Sequence, residues 1–270
     1  PFDNSRTKLQ KGSLITAIDG EKLEAGKDYF PLLNDKVGKR LLVSFRTASG
    51  EQVDEVIRPI SSSALNDLLY KRWVKQRAEE VERVSKGTLG YVHIPSMGDP
   101  SFRTVYSDVM GKYYQKKGIV IDIRYNGGGR LHEDIEAFFT GKHYADQVVR
   151  DRQYSEMSSR RWNRPSVLVT CEADYSNAHG TPWVYQHLKV GKVVGMPVAG
   201  TMTSVNWVTL LDPSVYFGIP AVGFRLFDGR YLENTQMEPD VVVPLDPTKV
   251  LQGVDTQIEK AVEVLRAETK

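Results

Sequence analysis

Apolar and polar positions along the chain follow two different rhythms. In residues 1–60 the apolar positions alternate. Leu14, Ile15, Ala17 and Ile18 predict a short strand ending in an Asp19-Gly20 turn, and "RLLVSFRTASGEQVDEVIRPI" predicts a hairpin around Ser49-Gly50. "DYFPLLND" between them predicts a short helix, so the region is a small β-rich module. In residues 61–86 the spacing of Leu65, Leu68, Leu69, Trp73 and Val74 is helical. Ser61 to Ser63 offer caps and Gly87 offers a stop, which predicts a helix linking two domains.

From Gly87 onward short apolar runs alternate with helical patterns. "TLGYVHIPSM" predicts a strand, "DPSFRTVYSDVMGKYYQKK" an amphipathic helix, and "GIVIDIRY" a strand apolar enough to be buried on both faces. A glycine turn and a helix through "EDIEAFFTG" follow. Then come "SVLVT", a turn holding Ser176, another helix, "KVVGMPV", strands near "VTLLD", "YFGIPAVGFRLF" and "DVVVPL", and a C-terminal amphipathic helix, "DTQIEKAVEVLRAE". Strands alternating with helices predict an α/β domain with parallel crossovers.

Composition narrows the function classes. The 270 residues are 40% hydrophobic and 26% charged, as in an ordinary globular protein. The formal net charge of +2 is too small for a nucleic-acid surface, and the basic run "SSRRWNRPS" at 158–166 is expected to be a solvated loop. No apolar stretch reaches the ~18 residues of a membrane span, and no signal peptide is visible. Cys171, the single cysteine, excludes an internal disulfide without fixing the compartment. The chain begins at Pro1 without a methionine, as in a fragment or a processed form.

Two turns carry candidate chemistry, each after a buried strand. In "DIRYNGGG", Asp122 to Gly129, three glycines free the backbone for positive φ and leave N–H groups uncovered, as an anion or oxyanion site requires. The spacing does not match a phosphate-binding P-loop, and a plain tight turn is the alternative. Ser176, in "CEADYSNAHG", sits where a strand passes into a helix. It is either a helix N-cap or a nucleophile favoured by the helix dipole and by neighbouring N–H groups. "YSNAHG" is not the G-x-S-x-G elbow of α/β-hydrolases.

The order "KGTLGYVHIP", "GIVIDIRYNGGG", "VLVTCEADYSNAHG", "GRYLENTQMEPDVVV" resembles the S41 family of serine peptidases, within it the tricorn branch. The resemblance implies a catalytic α/β domain of the ClpP/crotonase type over 87–270, a linking helix over 61–86, and a truncated PDZ-like domain over 1–60. Residues 1–60 resemble the later part of a PDZ domain, without its carboxylate-binding loop and first strands, so peptide binding there is in doubt. The resemblance makes Ser176 the nucleophile. It assigns the oxyanion N–H groups to Asn177 and to Gly129 (or, second choice, Gly128), and makes Glu233 the acidic partner. The alternative for Glu233 is a solvated turn acid. The implied substrates are peptides or unfolded proteins and the implied assembly is a homo-oligomeric ring, with no cofactor, metal, nucleic acid or membrane involved.

In that branch the general-base histidine, with a supporting serine, precedes the PDZ domain, so the resemblance places it upstream of Pro1 and implies little activity for residues 1–270 alone. His179 and His132 are the alternatives, whereas His93, His143 and His187 are expected to be structural or superficial. A lysine base is disfavoured, because no lysine follows Ser176 before Lys189. Asp146 is either a selector of basic side chains or a surface acid. Two further readings stay open: a non-catalytic peptide-binding scaffold and a crotonase-like acyl-CoA enzyme.

Overall fold

The computed structural model describes Phe2 and residues 5–269. It forms two compact units, Pro1–Trp73 and Val74–Lys270.

The first unit is built on a four-stranded antiparallel sheet, ordered β2-β1-β3-β4, from β1 (Leu14–Ile18), β2 (Glu21–Lys22), β3 (Leu41–Arg46) and β4 (Gln52–Ile57). Alternation along β3 turns Leu41, Val43 and Phe45 into a small core with Ile18. The predicted short helix is a single 3-10 turn at Phe30–Leu33.

Helix α1 (Ser62–Ser85) starts where the Ser61 hydroxyl accepts the Ala64 N–H, and stops at Gly87, whose φ is +78°. The boundary between the two units falls inside this helix rather than at its end. The reason is packing: Val74, Ala78, Val81 and Val84 belong to the core of the second unit.

The second unit contains β5 (Leu89–His93), α2 (Asp99–Ser107), β6 (Gly118–Asp122), α3 (His132–Phe139), β7 (Ala145–Val149), β8 (Arg152–Met157), β9 (Ser166–Thr170), α4 (Asn177–His187), β10 (Lys192–Gly195), β11 (Ser204–Thr209), β12 (Tyr216–Val222), β13 (Val241–Val242), α5 (Pro247–Leu251) and α6 (Thr256–Glu268). Five strands form a wholly parallel sheet ordered β13-β10-β9-β6-β5. Every residue of β6 and β9 is buried, as the unbroken apolar runs predict. Ile119 and Ile121 face a core with α2, α3 and α4, while Val120 faces the opposite core with α1 and α6.

Three local expectations are corrected. The helix expected after Asp99 ends at Ser107 and widens into a π turn over Asp108–Lys112. Residues 145–157 form an antiparallel hairpin that the sequence reading did not foresee. The run 158–166 is not wholly solvated, because Trp162 is buried in the main core.

Candidate active site

The glycine turn leaves the C-terminal end of β6 and the Ser176 turn leaves the C-terminal end of β9, the strand beside it. In open parallel α/β sheets that end is where ligands bind.

The motif "DIRYNGGG" divides by role. Asp122 and Arg124 are fully buried and joined at 2.7 Å, and Arg124 reaches Asp255 at 2.9 Å. Asp255 in turn caps α6 through the Gln257 and Ile258 N–H groups. This part of the motif locks β6 to the C-terminal helix. The remainder shapes the site. The Gly128 N–H donates to the Asn126 side-chain oxygen at 2.8 Å, and the Gly128 carbonyl accepts the Met97 N–H at 2.9 Å. Arg130 N–H closes the bridge by donating to the Met97 carbonyl, so Gly129 lies between the two bonds and makes neither. Met97 follows β5, on one side of β6. The Gly129 N–H, trans to the Gly128 carbonyl in the same peptide, therefore points away from Met97, and it has no partner among the described residues.

Ser176 has φ +57° and ψ −120°, a combination that costs an L-residue roughly 1–3 kcal/mol. Its carbonyl starts α4 by accepting from His179 and Gly180, but its hydroxyl makes no capping bond. Of the two alternatives for this serine, side-chain capping is the one not observed. The Asn177 N–H is the first orphan donor of α4 and has no partner among the described residues. Its side chain is buried and accepts from Leu131 N–H at 2.8 Å and His132 N–H at 3.2 Å, holding the start of α3 against the start of α4.

Glu233 is half-buried and is reached through residues 201–203. The Thr201 hydroxyl accepts the Ser176 N–H at 3.1 Å, and two residues on the Thr203 N–H donates to the Glu233 carboxylate at 2.6 Å. Burial pushes the Glu233 carboxyl up. The bonds from Thr203 and Met202, with His179 nearby, outweigh it and hold the carboxyl below its ordinary range.

No histidine makes a hydrogen bond to the Ser176 hydroxyl among the described residues. His179 is fully buried, its Nε2 donates to the Thr235 carbonyl at 2.9 Å, and its Nδ1 has no partner. Burial lowers its pKa, against the pull of the Thr235 carbonyl and of Glu233. His132 accepts from the Asn177 side-chain amide at Nδ1, 2.8 Å. His93 binds the Arg124 carbonyl, His143 and Asp146 pair on the exposed hairpin, and His187 stacks on Trp183.

Sequence reading passed over four residues here: Asn126, Asp174, Thr201 and Thr203. Asn126 carried a local signal, since Asn before glycines favours a side-chain-closed turn. Thr201 and Thr203 carried none, because their bonds span 25 and 30 positions. Asp174 is buried and accepts from Cys171 N–H at 3.0 Å and Asn126 N–H at 3.3 Å. Burial dominates those bonds and pushes its pKa up to about 8, and the buried Cys171 thiol is pushed up to about 12.

Beside the site lies a cleft of about 890 Å³, lined by His132, Trp183, Met202, Phe224, Phe227 and Leu232 among others. His132 is bonded to Asn177, Met202 lies between Thr201 and Thr203, and Leu232 precedes Glu233, so three lining residues border three parts of the site. Among the described residues no cluster of His, Cys, Asp or Glu could hold a metal ion, and no helix is long and apolar enough to cross a membrane.

Comparison with known proteins gives one consistent answer. The chain is 27% identical to the tricorn protease of Thermoplasma acidophilum over 261 residues, which is 96% of this chain and 24% of that protein. It is 26% identical to the tricorn protease homolog of Saccharolobus solfataricus, over 98% of this chain and 24% of that protein. The chain thus spans about a quarter of the length of these relatives. The crystal structure of the tricorn protease superposes with a TM-score of 0.80 at 26% identity, over 96% of this chain and 25% of that one. Mature CPAF, at 11% identity and a TM-score of 0.53 over 98% of this chain and 79% of that one, shares the fold alone. Residues 88–243, more than half of the chain, match peptidase family S41, and the chain belongs to that family.

Proposed function

We propose that the chain carries the nucleophilic half of a serine endopeptidase acting on peptides or unfolded chains. Ser176 Oγ attacks the scissile carbonyl. The negative charge that grows on the carbonyl oxygen is received by the Gly129 and Asn177 N–H groups, and the acyl-enzyme formed on Ser176 is then released by water. Glu233 orients the proton-transfer network. The base is a histidine supplied from a segment preceding Pro1, as the family resemblance implies. The observation that carries this reading is the Ser176 hydroxyl, which is held in a strained backbone at a helix start and caps nothing.

The apolar cleft takes a large apolar side chain of the substrate next to the scissile bond. Residues 1–60 are the later part of a PDZ-like module, and the complete protein assembles into a homo-oligomeric ring.

A fluorophosphonate probe tests the reading in the full-length protein. Labelling at Ser176, lost in Ser176→Ala together with peptide cleavage, is the expected result. An unlabelled, correctly folded full-length chain would favour a peptide-binding scaffold instead.

A further inference from the structure

We infer that Asn126 is a positioning residue of this site: it decides which N–H of the glycine turn is free to meet the reacting carbonyl oxygen, and it ties that turn to the backbone before Ser176. The inference rests on the reading of Ser176 as nucleophile.

Asn126 is fully buried at the point where three segments meet. Its side-chain oxygen accepts the Gly128 N–H at 2.8 Å, its side-chain amide donates to the Ile94 carbonyl at 2.8 Å, and its own carbonyl accepts the Tyr175 N–H at 2.9 Å. One residue thereby fastens the glycine turn to the segment after β5 and to the residue before the nucleophile. Asp174 holds it from behind by accepting the Asn126 N–H.

Asn126 sorts the donors of the turn. The Gly128 N–H, in the Gly127–Gly128 peptide, is taken by Asn126, and the Gly128 carbonyl, in the Gly128–Gly129 peptide, is taken by Met97, so two successive peptide units are each held by one bond. The Gly129 N–H belongs to the second of these units, trans to the Gly128 carbonyl, and so points away from Met97. Without the Asn126 oxygen, the Gly127–Gly128 unit is free to rotate, the Gly128 N–H competes for the same oxyanion position or turns to water, and the Gly129 N–H is left held by the Met97 bond alone. A donor stabilises the transition state only if it is already aimed when charge develops.

The test uses Asn126→Ala and Asn126→Asp in the full-length protein, beside Ser176→Ala. Aspartate keeps an oxygen for the Gly128 N–H and alanine keeps nothing. Asn126→Ala is expected to lower kcat about 10²-fold with KM within about threefold, as the loss of an oxyanion donor does. Asn126→Asp should recover at least about tenfold of that loss. Affinity for a peptide aldehyde, whose adduct is tetrahedral, should fall in parallel with kcat. Unchanged kcat, a rise in KM alone, or aspartate no better than alanine would overturn the inference. If Asn126→Ala fails to fold, Asp174→Ala, which removes the acceptor for the Asn126 N–H, takes its place, with an expected loss of about tenfold in kcat; a folded Asp174→Ala with normal kcat also overturns it. Turnover retained by Ser176→Ala sinks the nucleophile reading itself, whereas an inert Ser176→Ala beside a fully active Asn126→Ala sinks only the role of Asn126.

Discussion

A Cβ placed on Gly128 would lie 2.6 Å from the Cβ of Ser176, closer than real side chains approach one another. It would also lie 2.8 Å from the Tyr175 carbonyl oxygen and 3.1 Å from the Asn177 nitrogen, and Gly128 has φ +97°. Gly128→Ala therefore combines a disfavoured backbone with overpacking. It should lower the unfolding free energy by about 2–4 kcal/mol and abolish labelling of Ser176. Urea unfolding measures the first effect. An unchanged midpoint would mean that the glycine turn does not press on the serine turn.

Ser176→Gly should be inactive yet more stable than the parent chain. Glycine relieves the strain at φ +57°, ψ −120°, and no hydroxyl bond is lost. Allowing for the extra freedom of glycine in the unfolded chain, the net gain is about 1 kcal/mol. Calorimetry should show a higher Tm, and a lower one would argue that the serine is structural.

Glu233→Gln should lower kcat more than it changes KM, because the proposed role lies in proton transfer and not in substrate binding. Glutamine retains an oxygen for the Thr203 N–H, so the fold should hold. The opposite pattern, a raised KM with normal kcat, would move Glu233 into substrate binding.

Asp174 should give the protein a distinctive pH dependence. Its folded pKa is about 8, against an ordinary value of 3.8. The protonated carboxyl is thus favoured by folding. Its stabilisation is complete below about pH 4 and is lost progressively as pH rises to about 8. Comparing Tm at each pH between 4 and 8 for the parent chain and for Asp174→Asn isolates this component. The parent should decline relative to the variant across that window, and parallel curves would place the folded pKa of Asp174 near its ordinary value.

Phe224→Ala opens one wall of the apolar cleft. For full-length protein, kcat/KM should drop about tenfold on peptides with a bulky apolar residue next to the scissile bond, and change little when that residue is alanine. Equal losses on both peptides would remove the cleft from substrate selection.

The parallel sheet was legible because both of its faces are covered. "GIVIDI" and "SVLVT" could be read as doubly buried strands with no alignment at all, and β6 and β9 are buried at every position. The two turns were legible for a related reason. A run of glycines, or a serine, directly after such a strand marks the end of the sheet where backbone donors collect. The exposed hairpin of β7 and β8 was not legible, since "YADQVVRDRQYSEM" has no buried face to impose a rhythm. The point within the linking helix at which one compact unit gives way to the next was not legible, for the opposite reason. One continuous helix hides the point at Trp73–Val74 where its contacts pass from one unit to the other.

By itself the sequence determined the buried strands and the helices that alternate with them, the parallel sheet, and the placing of Ser176 and the three glycines in turns. These follow from local hydrophobic period and backbone freedom, which neighbours in the chain decide. Tertiary structure alone decided what each group there can do. Asp122 and Arg124 became a buried anchor for Asp255, 131 positions from Arg124. His179, three residues from Ser176, was turned to the Thr235 carbonyl. The Gly128 N–H was consumed and the Gly129 N–H left free, because Met97 and Asn126 arrive from two sides. A hydrogen bond forms between groups that meet in space, and which groups meet is set by how the sheet, its helices and its loops pack, not by their spacing along the chain.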